Sequence, residues 1–232
     1  AGIVLVTLNH AGDRMSATKA LRDAQKEGIK VREIVTHEDI SAGIDTDPEE
    51  KRGLAGCIPL YKVLGAAAEA GKSLDEVVEI GERFNSQMAT LAVAMTGCTH
   101  PQNGGVIATL PDDEMEIGMG QHGEAGGGRS KILTADETAS RMIEPLVKAT
   151  GVKAGDTALL IINGVGATTL MEMLIVYRKA AQLLAAKGVT VTPGACGEYL
   201  TVQEMAGFQM ILCKLDPDHV TYLKAKARTP YW

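Results

Sequence analysis

Residues 112–128 read DDEMEIGMGQHGEAGGG, and the rest of the chain is organised around this stretch. Its apolar residues Met115, Ile117 and Met119 alternate with charged or small ones, which predicts a half-buried strand. The GQHGE loop that follows has little side-chain bulk, and glycine permits close backbone approaches that other residues forbid. A strand that delivers His122 into such a loop presents an imidazole to a small ligand. The alternative is an ordinary turn with an exposed histidine.

Composition excludes several classes of function. The chain has 232 residues, 45% of them hydrophobic, so it can bury a sizeable core. A net charge of −6 and an aromatic content of 3% disfavour nucleic acid or an anionic membrane surface as partner. No apolar run reaches the roughly 18 residues of a membrane span. The four cysteines lack paired spacing, so we expect reduced thiols in a cytoplasmic protein.

The first 36 residues predict a strand–helix–strand unit. The run IVLVTL at 3–8 is typical of a strand buried on both faces of a parallel sheet. A helix is predicted over 16–27 and a second strand over 31–36. Ligands bind beyond the carboxyl ends of such strands, which makes Asp13 a candidate functional group. The alternative role for Asp13 is an N-cap or first-turn acid of the helix.

The middle of the chain predicts a surface loop over 38–53 and an alanine-rich helix over 54–70. A second helix starts at Ser73 with a capping box and runs towards Met95. A change of texture near 97–101 indicates a boundary. We therefore expect an α/β fold with two subdomains: residues 1–96 with an incomplete parallel or mixed sheet, and residues 97–232 with a second, smaller α/β sheet that carries His122.

The last third predicts alternating helices and strands. Helices are expected over 135–148 and 170–187, and strands over 157–163, 189–192, 198–202 and 209–215. The strand at 157–163 leads through a glycine loop into a helix, an arrangement that also occurs at anion sites. Because this loop lacks the phosphate-binding fingerprints, close packing of helix on strand is the favoured explanation.

Histidines and acids supply the candidate chemistry. No histidine pair has the spacing of a zinc site and no CxxC occurs, so no metal site of side chains is expected. His219 is predicted to lie at the surface and His37 to be solvated. His10 and His122 lie in glycine-containing loops at strand ends and are the two site candidates. Glu114 and Glu116 share a strand face, as general acids or, more commonly, as solvated acids.

Taken together, seven segments resemble the substrate-binding subunit of dihydroxyacetone kinases. They are Asn9…Gly12-Asp13, KRGLAG at 51–56, GAAAEAG at 65–71, DEMEIG at 113–118, Gly120…His122-Gly123-Glu124, Asn163-Gly164…Gly166-Ala167-Thr168…Met171-Glu172 and MAG at 205–207. The resemblance runs nearly end to end through the chain. It covers only about the last two thirds of the family's subunit, so we expect the N-terminal third to be supplied as a companion segment.

The resemblance implies a site and a reaction. It implies that His122 adds to the carbonyl of a short-chain ketose and holds it as a covalent hemiaminal, and that Asp13 is the general base on the hydroxyl that receives the phosphoryl group. It also implies further substrate-binding positions, namely Asn9, His10, Gly12, Gly120, Gly123 and Glu124.

The resemblance also implies partners. No cofactor is expected on this chain itself; ATP or ADP with magnesium would be bound by a helical nucleotide-binding partner subunit or domain. The chain is further expected to act as a homo-oligomer, in the simplest case a homodimer.

Departures from the family pattern leave alternatives open. Leu8 and His10 stand where the family usually has lysine and tyrosine, and Gln121 and Ala125 where it commonly has an apolar residue and a proline. One alternative is a kinase for a related C3–C4 ketose such as erythrulose. Another is a non-catalytic ketose sensor or co-activator with the same fold. A structural subunit whose partner supplies the whole site is weaker, since His122 and Asp13 are both present.

Overall fold

The computed structural model describes residues 2–229. Its first two strands form the predicted parallel pair. Strand β1 (Ile3–Leu8) lies beside β2 (Val31–Thr36), and helix α1 (Ala11–Lys26) connects them. The helix begins at Ala11 rather than near Ser16. The expectation that β1 is buried on both faces is wrong: Ile3 is 49% exposed. The segments that pack on the faces of β1 cover it only in part, so just one of its six residues is buried.

Strand β3 (Met88–Ala94) occupies the place where a helix was predicted to continue towards Met95. Helix α3 (Leu74–Ser86) has the predicted capping box but ends before this segment, and all seven residues of β3 are buried. The sequence MATLAVA is a short apolar run, which periodicity alone cannot assign to helix or strand. Its alanines favour helix locally, so only the neighbouring strands decide its conformation.

The large sheet contains β3 and five further strands, which are β6 (Glu114–Ile117), β7 (Arg129–Lys131), β8 (Thr157–Gly164), β9 (Thr190–Gly197) and β10 (Gly207–Leu215). Their order in the sheet is β7-β6-β3-β10-β8-β9. Strands β8 and β9 are parallel, and all other neighbours in this sheet are antiparallel. Strands β4 (Cys98–Thr99) and β5 (Val106–Ile107) form a separate hairpin. The α/β fold class is confirmed, although this second sheet is the larger one.

Two predictions about this sheet need correction. The strand near 189–192 continues to Gly197, and residues 198–202 are not a strand. Strand β3 precedes residue 97 and yet is hydrogen-bonded between β6 and β10. The proposed division into subdomains 1–96 and 97–232 stays a prediction. Residues 230–232 of the second subdomain lie outside the residues that the structure describes.

Helices cover both faces of the large sheet. Helices α4 (Ala135–Thr150) and α5 (Leu170–Ala186) pack on one face, and α2 (Cys57–Glu69), α3 and α6 (Pro217–Lys224) on the other. Strand β8 directs Leu160 and Ile162 to the first layer and Leu159 and Ile161 to the second. Burial of both faces explains its continuous apolar sequence.

His219 in α6 is fully buried, so its predicted surface position is wrong. Its ring meets Phe84 edge to face, with ring centroids 5.2 Å apart, and its Nε2 lies 3.3 Å from the carbonyl oxygen of Ile80. The polar Asp-Pro-Asp residues before it gave no indication that this turn of helix faces α3. His219 therefore belongs to the core and not to a site.

The first residues of the predicted surface loop are buried against β3. The backbone N–H of Thr90 donates to Glu38 O (2.8 Å), and that of Ile40 donates to Thr90 O (3.0 Å). Further along, Gly118 N–H donates to Ala92 O (2.7 Å). Successive residues of a strand point their backbone groups to opposite edges, so Thr90 and Ala92 use the same edge. One edge of β3 thus holds both the end of β2 and the end of β6.

The Glu38 carboxyl group is fully buried beneath the start of α2. Its Oε1 accepts the backbone N–H groups of Leu54 (2.8 Å) and Gly56 (2.9 Å). Burial raises the pKa of Glu38 to about 7, against the opposing effect of these hydrogen bonds. The proton is therefore held in the folded state at pH values where the unfolded chain has lost it.

We expect the Glu38→Gln variant to be more stable than the wild type at pH 8, by up to about 3 kcal/mol. The wild type loses stability as the pH rises from about 4.5 to about 7, because folding must then retain a proton that the unfolded carboxylate has released. Glutamine keeps the accepting oxygen and cannot ionise. Urea unfolding at pH 5 and pH 8 measures the difference, with Glu79→Gln on the exposed face of α3 as control. An equal difference at both pH values would contradict the assignment.

Candidate functional site

The glycine-rich loop after β6 crosses itself with its backbones in contact. A Cβ atom on Gly126 would lie 1.9 Å from the carbonyl carbon of Gly118, and Gly118 itself has φ +88°. The N–H of Gly127 donates to the carbonyl of Ile117 (2.6 Å). Glycine is required at the crossing because any side chain would separate the two passes. The predicted close backbone approach is thus a property of the loop's own fold.

The loop tip forms a tight turn around His122. The N–H of Gly120 donates to Glu124 O (2.8 Å), and that of Gly123 donates to Gly120 O (3.0 Å). Gly123 has φ +81°, and a Cβ there would lie 2.9 Å from Cγ2 of Ile107 in the β4–β5 hairpin. The predicted site glycines Gly120 and Gly123 therefore shape the turn that presents the imidazole.

Glu124 fixes the orientation of the His122 ring. Oε1 of Glu124 lies 2.9 Å from Nδ1 of His122, and Oε2 accepts the backbone N–H of His122 at 2.9 Å. An ionised carboxylate can only accept, so Nδ1 carries the ring proton and Nε2 keeps its lone pair. The side chain of His122 is 57% exposed. The site therefore offers an oriented and accessible imidazole nitrogen.

The Glu124 carboxylate is stabilised in its charged form. Partial burial opposes ionisation, but hydrogen bonds from backbone N–H groups and from the His122 ring outweigh it and lower the pKa of Glu124. Glu124 is therefore an anion at neutral pH. It is available both as the acceptor for Nδ1–H and as a counter-charge for any positive charge that forms on the ring.

His10 reaches the same carboxylate from the other side. It is the N-cap residue of α1, and its Nε2 lies 2.9 Å from the carbonyl oxygen of Gly53. Its Nδ1 lies 3.8 Å from Oε1 of Glu124, and its ring meets that of His122 edge to face at 5.2 Å. The fold therefore brings together the two histidines that the sequence singled out.

Asn9 shapes the backbone below His10. Its side-chain amide donates to the carbonyls of Glu49 (2.9 Å) and Lys51 (2.7 Å). A Cβ on Gly53 would lie 2.2 Å from Oγ1 of Thr36, so this glycine lets the segment close against the strand end. The structure thus gives Asn9 a role in positioning the Gly53 carbonyl that His10 contacts. Whether it also contacts substrate stays a prediction.

Asp13 lies in the first turn of α1, one helical turn after the N-cap residue His10. This is the first-turn position of the alternative interpretation, and the Asp13 side chain is exposed. Its charge adds to the burial that raises the pKa of Tyr61 to about 12. Gly12 is also inside the helix, and a Cβ there would meet nothing within 4 Å. Asp13 and Gly12 therefore lie on the exposed surface of α1, and whether they face the substrate stays a prediction.

Arg52 is a site residue that the sequence analysis missed. Its Nε donates to Oδ2 of Asp39 (2.8 Å), and its Nη2 donates to Oγ of Ser41 (2.7 Å) and to the carbonyl of Gly118 (2.6 Å). Asp39 is only 1% exposed, so this is a buried ion pair. The KRGLAG segment marked the position without indicating a role, because the three acceptors meet only in the fold.

The predicted environment of Glu116 also needs correction. It was predicted as a solvated acid or a general acid, but it is buried and accepts the backbone N–H of Gly126 (2.7 Å). Nε of Arg129 lies 3.4 Å from its other oxygen. Glu116 therefore anchors the glycine loop from below, whereas Glu114 stays half-buried.

Metal-binding potential depends on the fold and not on sequence spacing. One ligand atom each from His10, His122 and Glu124 lies within 4.8 Å of the others. Spacing in the sequence cannot indicate ligands contributed by separate segments.

The glycine loop at 164–169 fits the explanation that its glycines allow helix α5 to pack closely on β8: a Cβ on Gly164 would lie 2.9 Å from Sδ of Met173 in α5. Within residues 2–229, no helix combines the length and apolar character needed to span a membrane.

Comparison with known proteins gives consistent matches. Residues 1–231 match the model of the Dak1 domain. The chain is 38% identical to the dihydroxyacetone-binding subunit of a PTS-dependent dihydroxyacetone kinase from Listeria innocua, covering 100% of this chain and 71% of the relative. It is 35% identical to L-erythrulose kinase from Pectobacterium atrosepticum, covering 99% of this chain but 40% of the relative. Among solved structures, a dihydroxyacetone kinase operon co-activator superposes with a TM-score of 0.89 at 32% identity, covering 97% of this chain and 70% of that one.

We expect Arg52→Lys to destabilise the protein by about 1.5–3 kcal/mol, because an ammonium group cannot reach all three acceptors and leaves buried groups unpaired. Arg32→Lys is the matched control: Arg32 pairs with Asp75 at 2.8 Å, but both side chains are more than half exposed. This control should change stability by no more than about 0.5 kcal/mol. Thermal unfolding measures both effects, and amide exchange in residues 118–128 should accelerate only in Arg52→Lys. Equal stability of the two variants would contradict the role of Arg52.

Proposed function

This chain belongs to the Dak1 domain family, and from that premise we propose that it is the dihydroxyacetone-binding part of a dihydroxyacetone kinase. The observation that carries the proposal is the hydrogen bond between Nδ1 of His122 and Glu124, at 2.9 Å. It leaves a free lone pair on Nε2 in an exposed loop whose glycines allow a small molecule to approach. A neutral imidazole in this orientation is the nucleophile that trapping a carbonyl requires.

The trapping step forms one bond and moves one proton. The Nε2 lone pair of His122 attacks the ketose carbonyl carbon, and the π electrons of the carbonyl move to its oxygen. The oxygen gains a proton as Nδ1 releases one to solvent, so the hemiaminal forms without net uptake of protons. Glu124 stabilises the positive charge that develops on the ring between these events. Polyols such as glycerol have no carbonyl and would not be retained.

Asp13 is the proposed general base for phosphoryl transfer. Its exposed carboxylate follows His10 by one helical turn, and the ring of His10 contacts that of His122. A carboxylate here would accept the proton of the terminal ketose hydroxyl as that oxygen attacks the phosphoryl group. Positioning and charge stabilisation carry most of the catalysis in such transfers. The nucleotide, ATP or ADP with magnesium, would be bound by a helical partner subunit.

A companion N-terminal segment is part of the proposal. A groove of about 670 Å³ is lined in part by Val4, Val6, Leu64 and Val77. Among residues 2–229, no strand pairs with the edge of β1 opposite β2. Apolar side chains of β1 that the helices leave half-exposed would be covered if a further strand added to this edge. The completed site would then consist of this chain, the companion segment and the nucleotide-binding partner, in an assembly proposed to contain two copies of each.

Two more specific functions compete within the family. The similarity to an L-erythrulose kinase, together with the departures at His10 and Gln121, supports a related C3–C4 ketose as substrate. The superposition on an operon co-activator supports a ketose-sensing role without turnover. Retention of both His122 and Asp13 favours the kinase, because a sensor needs no general base.

An activity assay with the helical nucleotide-binding partner distinguishes these functions. The assay is run with dihydroxyacetone and with erythrulose, in the presence and absence of the N-terminal segment. Phosphorylation of either ketose identifies the kinase and its preference. Ketose binding without phosphorylation in the complete assembly would instead identify the co-activator.

We expect incubation with dihydroxyacetone, followed by rapid mass measurement under non-denaturing conditions at low temperature, to show the protein heavier by one ketose. The increase should disappear in His122→Ala and persist in His100→Gln, a histidine of the β4–β5 hairpin. Glu124→Gln should slow adduct formation by about 10- to 100-fold, because it removes a charged hydrogen bond of about 1.5–3 kcal/mol. Intact mass spectrometry checks each variant. A full adduct in His122→Ala would exclude this histidine as the nucleophile.

We expect Asp13→Asn to keep the adduct but to lower kcat for phosphoryl transfer by about 10²- to 10⁴-fold, the usual contribution of a general base. Asp23→Asn, on a later turn of α1, is the matched control and should retain activity. The measurements are adduct mass and steady-state turnover in the complete assembly. Turnover of Asp13→Asn at the wild-type rate would remove Asp13 from the reaction.

A further inference from the structure

We propose that His10, His122 and Glu124 form a binding site for a divalent transition metal of the zinc class. The three side chains offer one ligand atom each, all within 4.8 Å of one another. Two imidazole nitrogens and one carboxylate oxygen are a common ligand set for zinc, with a fourth position left to water. The site rests on the geometry of these side chains and does not depend on the proposed ketose chemistry.

The hydrogen bonding of His10 prepares its other nitrogen for a metal. The carbonyl of Gly53 can only accept, so Nε2 of His10, 2.9 Å away, must carry the proton. Nδ1 then presents its lone pair towards Oε1 of Glu124 at 3.8 Å. Histidine ligands of metals usually donate their second N–H to a carbonyl or carboxylate in this way, which fixes the tautomer and the ring orientation.

Both histidines face the same oxygen of Glu124, which favours a bound metal ion over a bound proton at this point. A lone pair on His10 Nδ1 facing Glu124 Oε1 needs a cation between them, either a second proton on His10 or a metal ion. A proton satisfies one nitrogen–oxygen pair, whereas a metal satisfies Glu124 and both histidines. Oε1 is the oxygen that faces both rings, at 2.9 Å from His122 and 3.8 Å from His10. Oε2 remains engaged with the His122 backbone N–H.

Access and mobility also suit a metal site. The His10 side chain is 11% exposed and held by the start of α1, whereas that of His122 is 57% exposed. A zinc ion bound at about 2.0–2.1 Å places its ligand atoms roughly 3.3 Å apart, so the 3.8 Å distance from His10 to Oε1 must shorten and the 2.9 Å distance from His122 to Oε1 must lengthen. The exposed His122 ring can rotate to accommodate this while His10 stays fixed. A Cβ on Gly120 would lie 2.2 Å from Oε2 of Glu124 and 2.5 Å from Nη1 of Arg52, so both groups border this glycine.

A second cluster of potential ligands lacks these features. Asp216, Asp218 and His219 also lie close together, but Arg83 makes ion pairs with both aspartates. His219 is fully buried against Phe84. A cation is therefore already supplied by the protein at that cluster. The His10–His122–Glu124 cluster has no such internal cation facing Oε1 among residues 2–229.

Metal binding has a consequence for His122, and this consequence does rest on the proposed function. Coordination through Nδ1 requires the single ring proton, now held on Nδ1 towards Glu124, to move to Nε2. An imidazole in that state has no lone pair for a carbonyl. Bound metal and ketose adduct should therefore exclude each other.

The test is a Zn²⁺ titration of the purified chain against a chromophoric chelator, with Co²⁺ as a spectroscopic probe. We expect one equivalent of Zn²⁺ per chain and visible Co²⁺ bands typical of low coordination number. His10→Phe keeps an aromatic ring but removes a ligand, and Glu124→Gln removes the charge; each should weaken binding by at least about tenfold. His100→Gln should bind like the wild type.

Two results would overturn the site: the absence of stoichiometric Zn²⁺ binding, or equal affinity in the wild type and His10→Phe. If His10→Phe does not fold by circular dichroism, His122→Ala replaces it, because that side chain is exposed and its removal leaves the core intact. Failure of the metal site is distinct from failure of the proposed function, since ketose trapping is measured by mass in metal-free buffer. A trapped ketose that leaves Zn²⁺ affinity unchanged would contradict the predicted exclusion.

Discussion

The site depends on the hydrogen bonds that Arg52 makes between two separate segments of the chain. The buried carboxylate of Asp39 requires a partner, and the guanidinium that supplies it also binds the carbonyl of Gly118. Both acceptors lie along one edge of β3, where the end of β2 and the end of β6 meet. The ion pair therefore fixes the glycine loop relative to the β1–α1–β2 unit. A planar fork with several donors suits this position, because a single ammonium group cannot bind acceptors in different directions.

This junction determines where the chemically active side chains meet. His10 follows β1, and His122 and Glu124 follow β6, so their contact requires the two units to be held at one distance and one angle. Glycines at 118 and 126 permit the loop to close on itself, and the buried acid Glu116 holds it from below. Glu124 then lies between the two imidazoles and directs one of them to present Nε2 to solvent. The same geometry supports carbonyl trapping and, with the proton displaced, metal binding.

The successes and failures of the sequence predictions have a common physical basis. The β1–α1–β2 unit, the capping box at Ser73 and strands β8 and β10 were predicted correctly, because periodicity and capping are local signals. Strand β3 was mistaken for helix, since MATLAVA is locally ambiguous and only its neighbours in the sheet impose an extended conformation. That error concealed the edge on which Asp39 and Gly118 meet, and with it the role of Arg52. His219 and Glu116 were expected to be exposed because polarity alone does not reveal a buried partner.

By itself, the sequence determined the α/β class, the glycine loop that carries His122, and the two histidines and one aspartate that merit a site hypothesis. Motif order extended this to a family, because many short segments in one order are specific even when each is weak. Only the tertiary structure decided that His10, His122 and Glu124 share one point in space, that Asn9 and Arg52 position the backbone, and that Glu38 and Asp39 are buried. The reason is that these properties depend on distances between segments far apart in the chain, which no local pattern encodes.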